Sequence, residues 1–180
     1  MPLGSKYGII ADIHANLRAL NVALDCLKET GVQEILCLGD LMGFGSQPNE
    51  CIDALKGKPH VHCVAGRMDR DVSREDTGSS SEKYAQLLRS ARDGLSPSNA
   101  RYLRELPETL VIDETFVLVH GSLVKGEPFI LSPTEISRNL DAMEREYPKQ
   151  RICFFGNTHI PVVVSDADNW RMTFFGRPYQ

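Results

Sequence analysis

An α/β fold, in which a mainly parallel sheet is covered by helices, is what this sequence predicts. Two observations carry that reading. Short apolar runs of strand length alternate with longer stretches whose apolar residues recur every three or four positions. Polar residues able to do chemistry stand directly after the apolar runs, where strands of an open sheet empty into the ligand crevice. The 180 residues suit one domain over 1–180, long enough to bury a substantial core.

The elements follow in chain order. "MPLGS" at residues 1–5 resembles a cloning remnant, and no function is assigned to it. "KYGIIA" is a buried strand that ends at "DIH". A helix is predicted over 16–30, with Leu17, Leu20, Leu24 and Leu27 as its apolar stripe and Gly31 as its stop. "EILCLGD" is a second strand, "GFGSQPNE" a turn, "ECIDALK" a helix and "HVHCVAG" a third strand. "DVSREDTGSSSE" reads as a polar connection. Helices at 82–93 and 98–106 follow, the second opened by Ser96 and Pro97 as N-cap and first-turn proline. Residues 70–108 are expected to form a helical excursion over the site. "TFVLVHGS" returns to strand, 133–147 is helical, and "RICFFGN" and "IPVVVSD" are two further strands.

Composition narrows the function. With 42% hydrophobic and 24% charged residues, the chain is ordinary globular material. A net charge of -4 argues against an extended nucleic-acid surface. A small anionic ligand needs only local positive charge or a metal. The five cysteines are odd in number and show no CxxC spacing, which suits buried thiols in a reducing cytosol. No apolar run reaches the length of a membrane span, and residues 1–20 lack a signal peptide's apolar core. A cytoplasmic protein is the expectation.

Five strand exits hold the suspicious groups. Asp12 and His14 follow "YGIIA", Asp40 follows "ILCLG", and Arg67 and Asp69 follow "HCVAG". His120 follows "FVLV", and Asn157 and His159 follow "CFFG". Asp12, His14, Asp40, His120 and His159, with Asn157 as an amide donor, mix carboxylate and imidazole without thiolate. That donor set suits Mn²⁺, Fe²⁺, Zn²⁺, Co²⁺ or Ni²⁺. In an extended segment Asp12 and His14, two apart, would point the same way and grip one ion. Such an ion brings the pKa of bound water to about 7. Each residue has a plainer reading: Asp12 could cap the next helix, Asp40 could be a turn residue, and His120 and His159 could be structural. His60 and His62 lie within a strand and are read as structural. It is the joint occurrence of five exits that points to a metal site.

These motifs resemble the calcineurin-like metallophosphoesterases, whose pattern is D-x-H, G-D-x-x-G, G-N-H-D, a later H and G-H-x-H. Here they stand as "DIH", "GDLMG", "GRMD", "HG" and "GNTH", in order, and the likeness runs from about Lys6 to Val164; "DIHANLRAL" and "GDLMGFGSQPNE" further resemble the small bacterial phosphodiesterase branch. The resemblance implies a four-layer α-β-β-α sandwich of two mixed sheets. It also implies phosphoester hydrolysis by a metal-bound hydroxide, with a phosphate-containing small molecule or nucleotide as substrate. Carried over, Asp12, His14, Asp40 and His159 match one metal's ligands, with Asp40 bridging to a second metal held by His120.

The departures fall in one place. Arg67 and Asn157 replace two ligands of that second metal, and Met68 replaces the catalytic histidine that Asp69 would orient. Arginine cannot be deprotonated to bind metal, but its planar fork suits phosphate. The expectation is therefore one strong metal site with Arg67 as phosphate clamp, and Arg67, Asp69 and His120 as the catalytic set. Without an acid at Met68, activated aryl diesters should turn over faster than alkyl ones. The plainer reading pairs Arg67 with Asp69 or Asp71. The alternative function is a weak or inactive relative that binds a phosphate-containing ligand or a protein.

Overall fold

The computed structural model describes residues 6–73, 81–165 and 171–174. Strand β1 (Tyr7–Ile10) leads into α1 (Leu17–Glu29), β2 (Glu34–Cys37), α2 (Pro48–Leu55) and β3 (Val61–Cys63). Helices α3 (Arg67–Ser73), α4 (Glu82–Asp93) and α5 (Pro97–Glu105) follow, then β4 (Thr109–Ile112) and β5 (Phe116–Val119). The rest is α6 (Pro133–Glu146), β6 (Ile152–Phe154), β7 (Val162–Ser165) and β8 (Arg171–Phe174).

β1, β2 and β3 form one parallel sheet in that order. β4, β5 and β6 form a second, antiparallel across β4–β5 and parallel across β5–β6. Leu36, Leu38 and Val64 from the first sheet meet Ile112 and Leu118 from the second in one buried cluster, so the sheets stack face to face. The opposite face of the first sheet packs Cys37 and Cys63 against Leu20 of α1, Cys51, Ile52 and Leu55 of α2, Val72 of α3, Leu88 of α4 and Leu103 of α5. Beyond the second sheet, α6 buries Ile136, Ala142 and Met143. The result is helix, sheet, sheet, helix, as the resemblance implies, although only the second sheet is mixed and β7–β8 forms a separate antiparallel pair.

Capping explains where the helices begin. Asn16 accepts from Ala19 N–H at 3.1 Å, so Asn16, not Asp12, caps α1. Ser96 caps α5 ahead of Pro97, as its sequence predicts. Ser132 and Glu135 make a reciprocal capping box on α6.

Three differences from the sequence reading have physical causes. β4 was not foreseen, because it is four residues long and follows Pro107. Its hairpin turns through Asp113 and Glu114 at φ 50° and 56°, in place of the Asn-Gly signal that usually marks such turns. The stretch after Gly66 is not an open loop: residues 67–73 are helical, with Arg92 from α4 donating to Val72 O at 2.8 Å near the last turn. The remainder of the predicted polar connection, 74–80, lies outside the described residues. β8 was also unread.

Candidate metal centre

The loops after β1 and β2 are laced together by backbone bonds. Asp12 N–H donates to Gly39 O at 3.1 Å, His14 N–H to Asp40 O at 2.9 Å and Ala15 N–H to Leu41 O at 2.8 Å. This lacing turns the chain sharply. Asp12, His14 and Asp40 take φ of 54°, 48° and 51°, and Asn157 and His159 take 66° and 54°. Asp12 and His14 therefore converge through left-handed backbone, not through the extended alternation their spacing suggests. Left-handed non-glycine residues cost about 1–3 kcal/mol each and concentrate at functional sites. Of eight such residues among the described ones, five are predicted ligands.

Two groups of ligand atoms result, each with all members within 4.8 Å of one another: Asp12, His14 and His159, and Asp12, Asp40 and His120. Asp12 is common to both, whereas the resemblance gives the bridging place to Asp40. His14 Nδ1 faces Met42 O at 3.1 Å and must carry a proton to bond there. Its Nε2 lies 3.2 Å from Nε2 of His159, two nitrogens facing each other across a space where a cation would satisfy both. His120 is 2% exposed, and its Nδ1 donates to Leu38 O at 2.7 Å. Its Nε2 is buried and unbonded: Asp40 Oδ2 is 3.3 Å away but outside hydrogen-bond angles. An orphaned imidazole nitrogen between two carboxylates fits a divalent ion.

Asp40 and His120 set each other's charge. Burial pushes the Asp40 carboxyl pKa up, but His120 and the Met68 N–H, at 2.8 Å, outweigh it and hold the group below its ordinary value. Burial opposes charge on His120, yet Asp40 and the Leu38 carbonyl raise its pKa overall.

The remaining predicted residues take other parts. Asn157 N–H donates to Asp12 Oδ2 at 3.0 Å, and its side-chain nitrogen donates to Pro128 O at 2.6 Å. Asn157 thus steadies Asp12 through its backbone. Asp69 is fully buried and accepts from Met42 N–H at 2.8 Å and Gly66 N–H at 2.9 Å. Both its oxygens are turned to the backbone, so it positions the Asp40 loop and does not reach a ligand. Arg67 Nε lies 3.6 Å from Asp71, and its guanidinium sits over the Tyr84 ring at 5.7 Å. That is the plainer pairing, with the side chain still 52% exposed. Arg67, Arg70, His120, Lys125 and Asn157 line one cleft of about 630 Å³. The Asp69 staple, the Asn157 backbone contact and the Tyr84 contact left no signal in the sequence beyond residue type. His62 pairs with Glu34 at 3.0 Å across the sheet, a structural place.

Gly66 makes the closest approach. A Cβ there would run into the backbone nitrogen and Oδ1 of Asp40. Gly66→Ala should lower stability by about 1–3 kcal/mol through overpacking and weaken metal binding. Thermal melting with and without Mn²⁺ checks both; an unchanged metal-dependent shift would show that Asp40 tolerates the displacement.

The sequence profile of the calcineurin-like phosphoesterase superfamily domain matches residues 6–174. An uncharacterized protein from Methanocaldococcus jannaschii is 31% identical over 175 residues, which are 92% of this chain and 67% of that protein. The crystal structure of a metallophosphoesterase from Sphaerobacter thermophilus is similar at 27% identity and a TM-score of 0.70, over 88% of this chain. This chain spans 62% of that protein's length. A hypothetical protein from Pyrococcus horikoshii OT3 shares the fold, with a TM-score of 0.65 and 22% identity over 97% of this chain and 88% of its own. Among the described residues no helix is long and apolar enough to cross a membrane. Because the profile runs from the first described strand to the last, the chain belongs to the calcineurin-like phosphoesterase superfamily.

Proposed function

We propose that this chain is a metal-dependent phosphoesterase that holds one divalent ion tightly and steadies the phosphate with Arg67. The observation that carries the reading is the convergence of Asp12, His14, Asp40, His120 and His159 from four strand exits, with the buried Nε2 of His120 left unbonded. The two three-donor groups, Asp12 with His14 and His159 and Asp12 with Asp40 and His120, share the Asp12 carboxylate, so its full charge is available to one ion only. Mn²⁺, Fe²⁺, Zn²⁺, Co²⁺ and Ni²⁺ all suit these donors. When bound, such an ion acidifies a water and polarises a phosphoryl oxygen.

The chain's own groups do the rest. Asn157 holds Asp12 in place through its N–H, and the Met68 N–H does the same for Asp40. Arg67 and His120 line the cleft in which the phosphate would lie, where a guanidinium offers two parallel donors to phosphate oxygens. Met68 is buried and has no proton to give. A missing general acid costs about a hundredfold or more when the leaving group is poor.

Stripped protein reloaded with Mn²⁺ should hold one ion per chain, and two tightly held ions would sink the one-ion reading. It should hydrolyse bis(4-nitrophenyl) phosphate at least roughly a hundredfold faster than a dialkyl phosphate such as diethyl phosphate; equal rates would argue that an acid is present. A second reading, a phosphate-binding relative without turnover, is favoured by Met68 and by the pairing of Arg67 with Asp71. Phosphate binding with no turnover under any of the five ions would support it.

A further inference from the structure

The residue after the "GDLMG" motif is Phe44, whose large ring is 77% exposed. That exposure is the greatest among the large hydrophobic side chains described. An isolated exposed apolar residue needs no explanation, but this one stands at the metal centre. Its ring lies 6.0 Å from that of His14, which in turn lies 5.2 Å from that of His159. The Phe44 ring thus neighbours the pair of imidazoles that faces the candidate ion. Nor is the ring at the tip of a loose loop. Gly45 N–H donates to His14 O at 2.8 Å, and Gln47 N–H to Ala15 O at 3.3 Å, which ties the loop to the ligand strand exit on its far side. Gly43 and Gly45 flank the ring, and a Cβ at either would run into His14 or Ala15, so the close lacing depends on both. The Arg67 cleft opens beside His120 and Asn157, whereas Phe44 stands beside His14, the metal ligand of the other group. A phosphate at the ion would therefore have donors beside one set of ligands and a bare aromatic face beside the other.

We infer that Phe44 is a specificity-determining residue: it stacks on a flat aromatic group carried by the substrate, a nucleobase or an aryl ring attached through the phosphate. The inference rests on the phosphoesterase reading above and adds the class of substrate. An exposed aromatic face gains from stacking on any such ring without hydrogen-bond readout, so the residue selects for flatness and not for one base. Glycerol-type phosphates, which offer nothing to stack, bind through phosphate alone.

The test uses the full chain loaded with Mn²⁺ and titration calorimetry with inorganic phosphate, adenosine monophosphate, phenyl phosphate and glycerol phosphate. Phe44→Ala should raise the Kd for adenosine monophosphate about fivefold to tenfold, raise that for phenyl phosphate in the same direction, and leave phosphate and glycerol phosphate within twofold. The larger of the two losses tells whether a nucleobase or an aryl ring is the better occupant. Phe44→Trp should restore the aromatic ligands. Equal weakening of all four ligands would mean that Phe44 merely supports the His14 loop, and it would overturn the inference. So would unchanged adenosine monophosphate binding. Failure of unaltered, loaded protein to bind inorganic phosphate is a different result: it would overturn the phosphoesterase reading itself.

Discussion

Replacing Asp12 with asparagine should cost roughly a thousandfold in kcat/KM with Mn²⁺, a loss of several kcal/mol of metal-derived stabilisation. Asp12 carries the largest expected effect because it alone belongs to both ligand groups. Asparagine keeps an oxygen for the Asn157 N–H, which now donates to the Asp12 carboxylate at 3.0 Å, so the loop should hold its shape. The neutral amide removes the charge that an ion needs. Metal binding to the native state alone also stabilises it, by about 2.7 kcal/mol at a hundredfold excess over Kd. For a chain of this size that is a rise in Tm of about 5–10 °C. The unaltered protein should show that shift with Mn²⁺ and Asp12→Asn should not, while the two metal-free melting temperatures stay close. A variant that keeps both the shift and the activity would remove Asp12 from the centre.

Asp69→Ala should instead destabilise the protein whether or not metal is present. The buried carboxylate satisfies the N–H groups of Met42 and Gly66. Its loss strands two buried donors at about 1–3 kcal/mol each, for a fall in Tm of about 5–15 °C. Burial pushes the Asp69 pKa up to about 6, against the lowering effect of those same N–H groups. The sign of the pH dependence follows. An acid whose folded pKa lies above its unfolded one binds more protons when folded, so its contribution is complete below about pH 4 and is lost as pH rises through 6. Asp69→Asn lacks this titration. Its stability deficit relative to the unaltered protein should therefore be larger at pH 4.5 than at pH 7.5. Chemical denaturation at the two pH values measures it, and a deficit that grows toward pH 7.5 would reverse the assignment.

Both predictions use residues found from sequence, and the structure sets the two in different surroundings. Asp12 followed an apolar run at the place where strands deliver ligands, and it belongs to both candidate ligand groups. Asp69 followed a similar run and looked like the same kind of group. Its helix carries it inward, since residues 67–73 are helical where polar composition suggested a loop. Arg67 shows the same limit. Its suitability for phosphate is a property of the side chain, whereas its approach to Asp71 and Tyr84 depends on how α3 and α4 pack. The β4 hairpin escaped notice because its turn uses aspartate and glutamate in left-handed backbone, which the surrounding ladder imposes and composition does not advertise.

The alternation of strands and helices, the cap at Ser96, and the identity of the metal-type donors were set by the sequence alone. Each depends on local periodicity or on a side chain bonding a few residues away, and those interactions are written in neighbouring letters. Which carboxylate serves both ligand groups, and which nitrogen is left without a partner, came only with the tertiary structure. The distance from His120 to Asp40 spans eighty positions of chain, and the stacking of two sheets closes it.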